Sequence, residues 1–540
     1  MRKLLLVTLV LIMGLLPAVA RSDTGVGPGG GTPGTASNFT LVGHNDLSAS
    51  ELDGNTIPRG MNAALAMFDH FIYIGNRTDG SNSCGDLNAT GPVVPVLTPT
   101  APDGTCPHLH PGILVVNVAN PSNPTMVGEF GNEFVTGANE GQTSRELRVW
   151  PEQELLMVMY FRCSRVIHAC PRTAQSFRIR FFDLAADPVD PPLIATYTPS
   201  ALPHEMFLWI DPDDPDRALL WISTPTTSVD PNVPNLIITD ISRAREGVFD
   251  EIAKGNWNQF FPGAATPANY DFDLALHSMT PSFDGKRTYL AYLRGGFGVL
   301  DTSEVVAGNG GESVSLNGEL LTRVPFPTWG TGTQCAGHTA AGCAESHSAV
   351  PLPGRPFVLT IDEVYGTFTV GSFGWPWGWA RTWNVGRPAR PRMVGEYKIF
   401  QNTQPFQGSP GDDPATEQFT SYSSHNPTLT RNLALDSWHS GGLQAIDLSD
   451  PGLPVQTGWF SPTPEPSVAI EDPALSRGPN KVVMWSFPII EDGLIYVVDI
   501  RNGLYVLRYT GPFAPEVQGI TFLEGNSNLG DARRLNMSAG

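Results

Sequence analysis

The run from Ser423 to Phe460, SSHNPTLTRNLALDSWHSGGLQAIDLSDPGLPVQTGWF, limits what this chain can fold into more than any other stretch. It holds four short β-type segments, Asn426–Thr430, Leu433–Trp438, Leu443–Leu448 and Val455–Phe460. They are separated only by Arg-Asn, His-Ser-Gly-Gly and Ser-Asp-Pro-Gly, which are turn chemistry. None of these gaps has room for a crossover helix, so each strand must run antiparallel to the one before it and the unit must be a four-stranded meander.

The same plan recurs along the chain. Ile113–Phe130 (ILVVNVANPSNPTMVGEF) and Arg381–Tyr397 (RTWNVGRPARPRMVGEY) repeat the third strand, a proline-bearing turn and a closing V-G-aromatic strand. Phe181–Tyr197 is a looser copy, and Leu236–Ile241 and Phe297–Thr302 keep the third strand and its Asp. A repeat of roughly 40 to 80 residues means stacked supersecondary units rather than one wound sheet. The reading is an all-β chain, a seven-bladed β-propeller with four-stranded antiparallel blades over residues 38–515, followed by a polar tail at 516–540. The last blade, starting at Val482–Ile490, is one strand short, whereas Phe39–Gly43 reads as a closing strand that precedes any complete blade. Pairing Phe39–Gly43 with Leu504–Tyr509 removes two exposed edges together, with Val517–Phe522 as the rival closing strand. These repeats resemble the LVIVD-repeat family of secreted bacterial β-propellers over most of the chain. The resemblance implies fold and export, not a reaction, because that family has no single established activity.

Residues 1–20 carry Arg2 and Lys3, an apolar run from Leu4 to Leu16 and the small-x-small sequence Ala18-Val19-Ala20, the pattern of a secretory signal peptide. Residues 21–37 are rich in Gly, Pro and Thr and read as a flexible linker. No second apolar run is long enough to cross a bilayer, so the expectation is a monomer in the periplasm, at the cell surface or in the medium, with no membrane insertion. Its 33 basic against 53 acidic residues give a net charge of −20, a field that repels nucleic acid. Six cysteines in an exported chain should be oxidised, and they fall in three local couples, Cys84/Cys106, Cys163/Cys170 and Cys335/Cys343.

Aligning the blades by their first strands places Arg59, Arg145, His204, His277, His347 and His425 at one repeat position, with Ser486 in the seventh. First strands line the channel of a propeller, so these side chains should ring one mouth of it. His439 ends a second strand on the same face, as do Asp362, Glu363 and Arg294. Imidazoles in such a set suit a divalent transition metal, with Glu205 and Glu363 as further ligands. Arg59, Arg145 and Arg294 suit an anion or carboxylate instead. A third explanation is purely architectural: a polar residue repeated at each blade entrance pins the loop of the next blade. The chain lacks H-E-x-x-H, G-x-S-x-G, a Gly-rich phosphate loop and EF-hand spacing. The leading reading is a binding or interaction scaffold that presents a His/Arg-lined face to a protein or small ligand. The alternative is a metal-dependent (Cu, Zn or Fe) oxidoreductase or hydrolase, so whether the chain is an enzyme stays open at this level.

Overall fold

The computed structural model describes residues 30–84, 105–106, 108–163, 176–260, 275–293, 295–308, 313–324, 345–363, 378–403, 421–472, 475–476 and 480–537. The chain is all-β, with a few short helices, and among the described residues no helix is long and apolar enough to cross a membrane. The meander read first from the sequence is present as Asn426–Leu429, Leu433–Ser437, Leu443–Asp447 and Val455–Ser461, each antiparallel to the next. Its order recurs from Ser346–Pro351 to Arg392–Tyr397, from Ser278–Pro281 to Leu320–Val324, and from Met206–Asp211 to Asp250–Gly255. An eight-stranded sheet contains two more meanders, Asn62–Phe68 to Thr125–Phe130 and Gln142–Trp150 to Leu193–Tyr197, which join where Asn76 lies opposite Ser144.

The repeat motif has a steric cause. A Cβ at Gly43 would lie 2.1 Å from the Pro121 carbonyl oxygen, at Gly128 2.6 Å from Val189, and at Gly395 2.5 Å from the Pro451 carbonyl oxygen. Each of these partners sits in the turn between the third and fourth strands of another meander. The glycine of one closing strand therefore receives a neighbour's proline-bearing turn, which explains why the two halves of the motif repeat together. Large apolar side chains fill the space between sheets: Trp209, Trp221 and Trp257 form one such cluster, while Trp379 and Trp438 form another. Trp383 packs with Tyr289 and Phe297 in a third, and Trp375 and Trp377 lie outside the described residues.

The chain ends meet in one sheet. Phe39–Asn45 runs antiparallel to Gly503–Tyr509, with Phe39 opposite Tyr509, the pairing that the surplus strand calls for. The rival segment does something else: Ala514–Gln518 is a short helix, and Phe522–Leu523 pairs with Ile489–Glu491 at the opposite edge of that sheet. The strand expected over Val482–Ile490 shrinks to Ile489–Glu491. Side chains interrupt its ladder, because Asp499 Oδ2 takes the Val483 N–H (2.8 Å) and Ser486 Oγ takes the Val498 N–H (2.9 Å), while main-chain bonds such as Ile500 N–H to the Val483 carbonyl (2.9 Å) remain.

Both flanking segments are more ordered than composition suggests. Thr35–Ser37, at the end of the expected linker, pairs with Val455–Ser461 as a fifth strand. The carbonyls of Gly30 and Gly31 accept from Gln401 Nε2 (2.6 Å) and Asn480 Nδ2 (2.8 Å). The C-terminal segment crosses first strands of several sheets: Ser527 bridges Leu208, and the Asn528 side chain bonds Ile210 in both directions at 2.7 Å. Gly525 abuts the Pro427 carbonyl, and Asn536 Oδ1 accepts from Gly354 N (3.1 Å). Leu523, Leu529 and Leu535 are buried in the cores this segment touches. Cys84 and Cys106 form a disulfide, and Cys163 is also disulfide-bonded. Cys170, Cys335 and Cys343 lie outside the described residues, as do residues 1–29, on which the expected signal peptide falls.

Candidate metal centre

The histidines at the shared repeat position line up side by side. Ring centroids are 4.4 Å apart for His204 and His277, 4.0 Å for His277 and His347, and 4.2 Å for His347 and His425. His439, just past the second strand Leu433–Ser437, extends the row, its ring 5.0 Å from that of His425. Donor atoms from neighbouring members gather into three overlapping groups: His204 with Glu205 and His277, His277 with His347 and Glu363, and Glu363 with His425 and His439. Within each group the candidate ligand atoms all lie within 4.8 Å of one another.

Serines on first and second strands reach across to the next meander, where they bond backbone carbonyls. Ser223 Oγ donates to the His277 carbonyl (2.6 Å), Ser278 Oγ to that of His347, Ser348 Oγ to that of His425 (3.2 Å), and Ser437 Oγ to that of Ser486 (2.6 Å). Serines carry part of the loop-pinning role, and His425 shares it through Nδ1, which reaches the Trp485 carbonyl oxygen at 2.8 Å.

Glu363 is the hinge of the row. Its Oε2 lies 3.6 Å from His347 Nε2, and its Oε1 lies 3.4 Å from His425 Nε2 and 3.1 Å from His439 Nε2. All four residues are buried. Burial would raise the Glu363 carboxyl, but the histidines, His425 foremost, draw it down to about 2. Burial lowers His277 to about 4 and holds His204, His347 and His425 well below the usual histidine range. At neutral pH the Glu363 carboxylate therefore sits among neutral imidazoles at His277, His347 and His425.

The partners of Nδ1 determine which ring nitrogen is bare. His425 Nδ1 lies 2.8 Å from the Trp485 carbonyl oxygen, which can only accept, so Nδ1 carries the proton. His425 Nε2 is then a lone pair, has no hydrogen-bond partner among the described residues, and faces a carboxylate oxygen. His347 follows the same logic through Ser348: the serine hydroxyl donates to the His425 carbonyl and so accepts from His347 Nδ1 at 2.8 Å. His347 Nε2 is likewise bare, without a hydrogen-bond partner among the described residues, and turned toward the other oxygen of Glu363.

The remaining candidates fall in different places. Glu205 is buried beside Glu146, and burial followed by that neighbour pushes its carboxyl well above the usual range. All five guanidinium N–H groups of Arg59 are engaged, by Asn62 Oδ1 and the carbonyls of Ile74, Gly75, His110 and Gly112, so an anion there would have to displace one of them. The Arg145 guanidinium lies 5.0 Å from the Phe161 ring centroid, and Arg294 lies outside the described residues. Asp362 turns away from the histidines to pair with Arg381. Two contributors escape a search for histidines. The Trp485 ring lies 3.7 Å from that of His425 and stacks parallel to that of His439. The Arg77 guanidinium covers the Trp485 ring at 3.9 Å and pairs with buried Asp472 at 3.1 Å. Arg77, Glu363 and His439 all stand one or two positions past a second strand, a shared register by which the sequence marks Arg77 as well.

No family model and no curated protein matches this chain. Among solved structures it is similar to Sqt1 from Chaetomium thermophilum, at 11% identity and a TM-score of 0.43, covering 86% of this chain and 97% of that one. It is also similar to the β-propeller domain of Cps50 (Swd1) from Myceliophteria thermophila, at 9% identity and a TM-score of 0.40, covering 84% and 99%. A Lactobacillus plantarum protein is similar at 11% identity and a TM-score of 0.40, covering 78% and 88%.

Proposed function

We propose that this chain is an exported seven-bladed β-propeller of the LVIVD-repeat kind that binds a transition metal at its channel mouth and works as a metal-dependent enzyme. The observation that carries this reading is the 3.4 Å approach of His425 Nε2 to Glu363 Oε1. Two buried lone-pair-bearing atoms facing each other with no proton between them repel, and the arrangement becomes favourable when a cation lies between them. His277, His347, His425, His439 and Glu363 would hold the ion, with His204 and Glu205 at the far end of the row. Imidazole with one carboxylate suits Zn, Cu, Fe or Ni, and such an ion supplies Lewis acidity or, for Cu and Fe, one-electron chemistry. The protein's own part is to fix the imidazole tautomers through Trp485 O and Ser348 and to wall the centre with Trp485 and Arg77. A purely scaffolding role would draw on exposed side chains, whereas this set is largely buried.

The test is metal analysis of the full chain expressed without a polyhistidine tag. At least one transition ion per chain should survive desalting. Protein that holds none as isolated, and none after incubation with Zn(II), Cu(II) or Fe(II) and desalting, would return the molecule to the scaffold reading.

A further inference from the structure

The two oxygens of Glu363 face two different sets of nitrogens. Oε1 is turned to His425 and His439, at 3.4 and 3.1 Å, and Oε2 to His347, at 3.6 Å, with His277 in the same donor group as His347. The tautomer argument applies independently on each side. His425 Nδ1 is committed to the Trp485 carbonyl and His347 Nδ1 to Ser348 Oγ, so a bare Nε2 meets each carboxylate oxygen. One cation placed at Oε1 relieves the first of these contacts and leaves the second unrelieved. We infer that the centre is dinuclear: the Glu363 carboxylate bridges two metal ions, one held by His277 and His347 through Oε2, the other by His425 and His439 through Oε1.

This rests on the metal reading above and deepens it. Each half offers two imidazoles and one carboxylate oxygen, which leaves positions on both ions for water or substrate, as a catalytic site requires. Carboxylate-bridged pairs in enzymes sit about 3.5–4 Å apart and clamp the attacking and leaving oxygens of one substrate. The substrate class implied is a small molecule that presents two adjacent oxygen donors, dioxygen or a phosphate or carboxylate ester. Access would be from the His204 and His277 end, because those are the only two histidines of the row that are not fully buried in the described structure.

Chelator-stripped full-length protein titrated with Co(II) provides the test, since cobalt reports ligand number by its visible spectrum and spin coupling by its magnetic susceptibility. Wild type should bind two equivalents with reduced low-temperature susceptibility. His347→Ala and His439→Ala should each retain one equivalent, uncoupled, from opposite halves, and Glu363→Gln should weaken both sites at least tenfold. Circular dichroism of each variant checks folding, and the wild-type stoichiometry stands whether or not a variant folds. A single equivalent in folded wild type, or two equivalents that are magnetically independent, overturns the bridged pair while leaving the metal reading in place. Zero equivalents overturns both.

Discussion

Asp436 allows the electrostatics of the region behind the histidine row to be tested quantitatively. The residue lies in the second strand Leu433–Ser437 and is buried, with Oδ2 accepting from Ser424 Oγ at 2.8 Å and Oδ1 without a hydrogen-bond partner among the described residues. Burial pushes its carboxyl up to about 8. An unfolded aspartic acid titrates near 3.9, so between about pH 4 and pH 8 the folded protein keeps a proton that the unfolded chain releases. Stability contributed by this group is therefore complete below pH 4, falls as pH rises by roughly 1.4 kcal/mol per unit, and levels off above pH 8. Asparagine reproduces the neutral acid in shape and can still accept from Ser424, but it does not titrate. The advantage of Asp436→Asn over wild type should accordingly grow by about 4 kcal/mol between pH 5 and pH 8. Urea denaturation of both proteins at pH 5, 6.5 and 8 measures it, and subtracting the two curves cancels groups common to both, such as Asp362 and Glu491. A difference that stays flat across this range, or that turns against the variant as pH rises, would refute the reasoning.

Other perturbations follow from contacts described above. Arg381→Met leaves the Asp362 carboxylate buried and unpaired and should cost about 3–5 kcal/mol in urea denaturation, most of it regained in the Arg381→Met/Asp362→Asn double variant. Leu529→Ala removes a buried side chain where the C-terminal segment enters the core and should lower stability by about 2–5 kcal/mol. Gly395→Ala forces a Cβ within 2.5 Å of a backbone oxygen. It should destabilise by about 1–3 kcal/mol, read as a drop in Tm, and the same change at exposed Gly137, where no atom lies within 4 Å but φ is positive, separates clash from backbone strain.

The parts of this architecture that were legible beforehand are those written in short range. The proline-bearing turns and the V-G-aromatic strands repeat because each glycine accommodates a neighbour's turn, so packing between meanders left a mark within a single one. The surplus strand at Phe39 was legible because an unmatched edge at one end of the chain required a partner at the other. The histidine row could be aligned because its members share one register, though their tautomers could not be read, since these depend on Trp485 O and Ser348 Oγ reached through space. The 522–536 segment reads as a polar tail because Asn526, Ser527 and Asn528 satisfy main-chain groups of sheets distant in sequence, a role that composition does not announce. Side chains likewise interrupt the strand expected at Val482–Ser486, where Asp499 and Ser486 each take one main-chain N–H of the pairing.

The union of the two chain ends in one sheet makes the order of folding a matter of timing. His44 Nε2 reaches the Asn502 carbonyl at 2.8 Å across 458 positions of sequence. At about 5–20 residues per second a ribosome needs roughly 20–90 s to bridge that interval, and throughout it the Phe39–Asn45 segment has no partner strand. The meanders can form one after another by local pairing, but the final strand insertion must wait for the last tenth of the chain and must overcome the loop-closure entropy of nearly the whole molecule at once. The protein is consequently all-or-none with respect to its own C-terminus: a product truncated before Gly503 keeps two open sheet edges and is marked for aggregation or proteolysis, whereas one that reaches Tyr509 can latch shut.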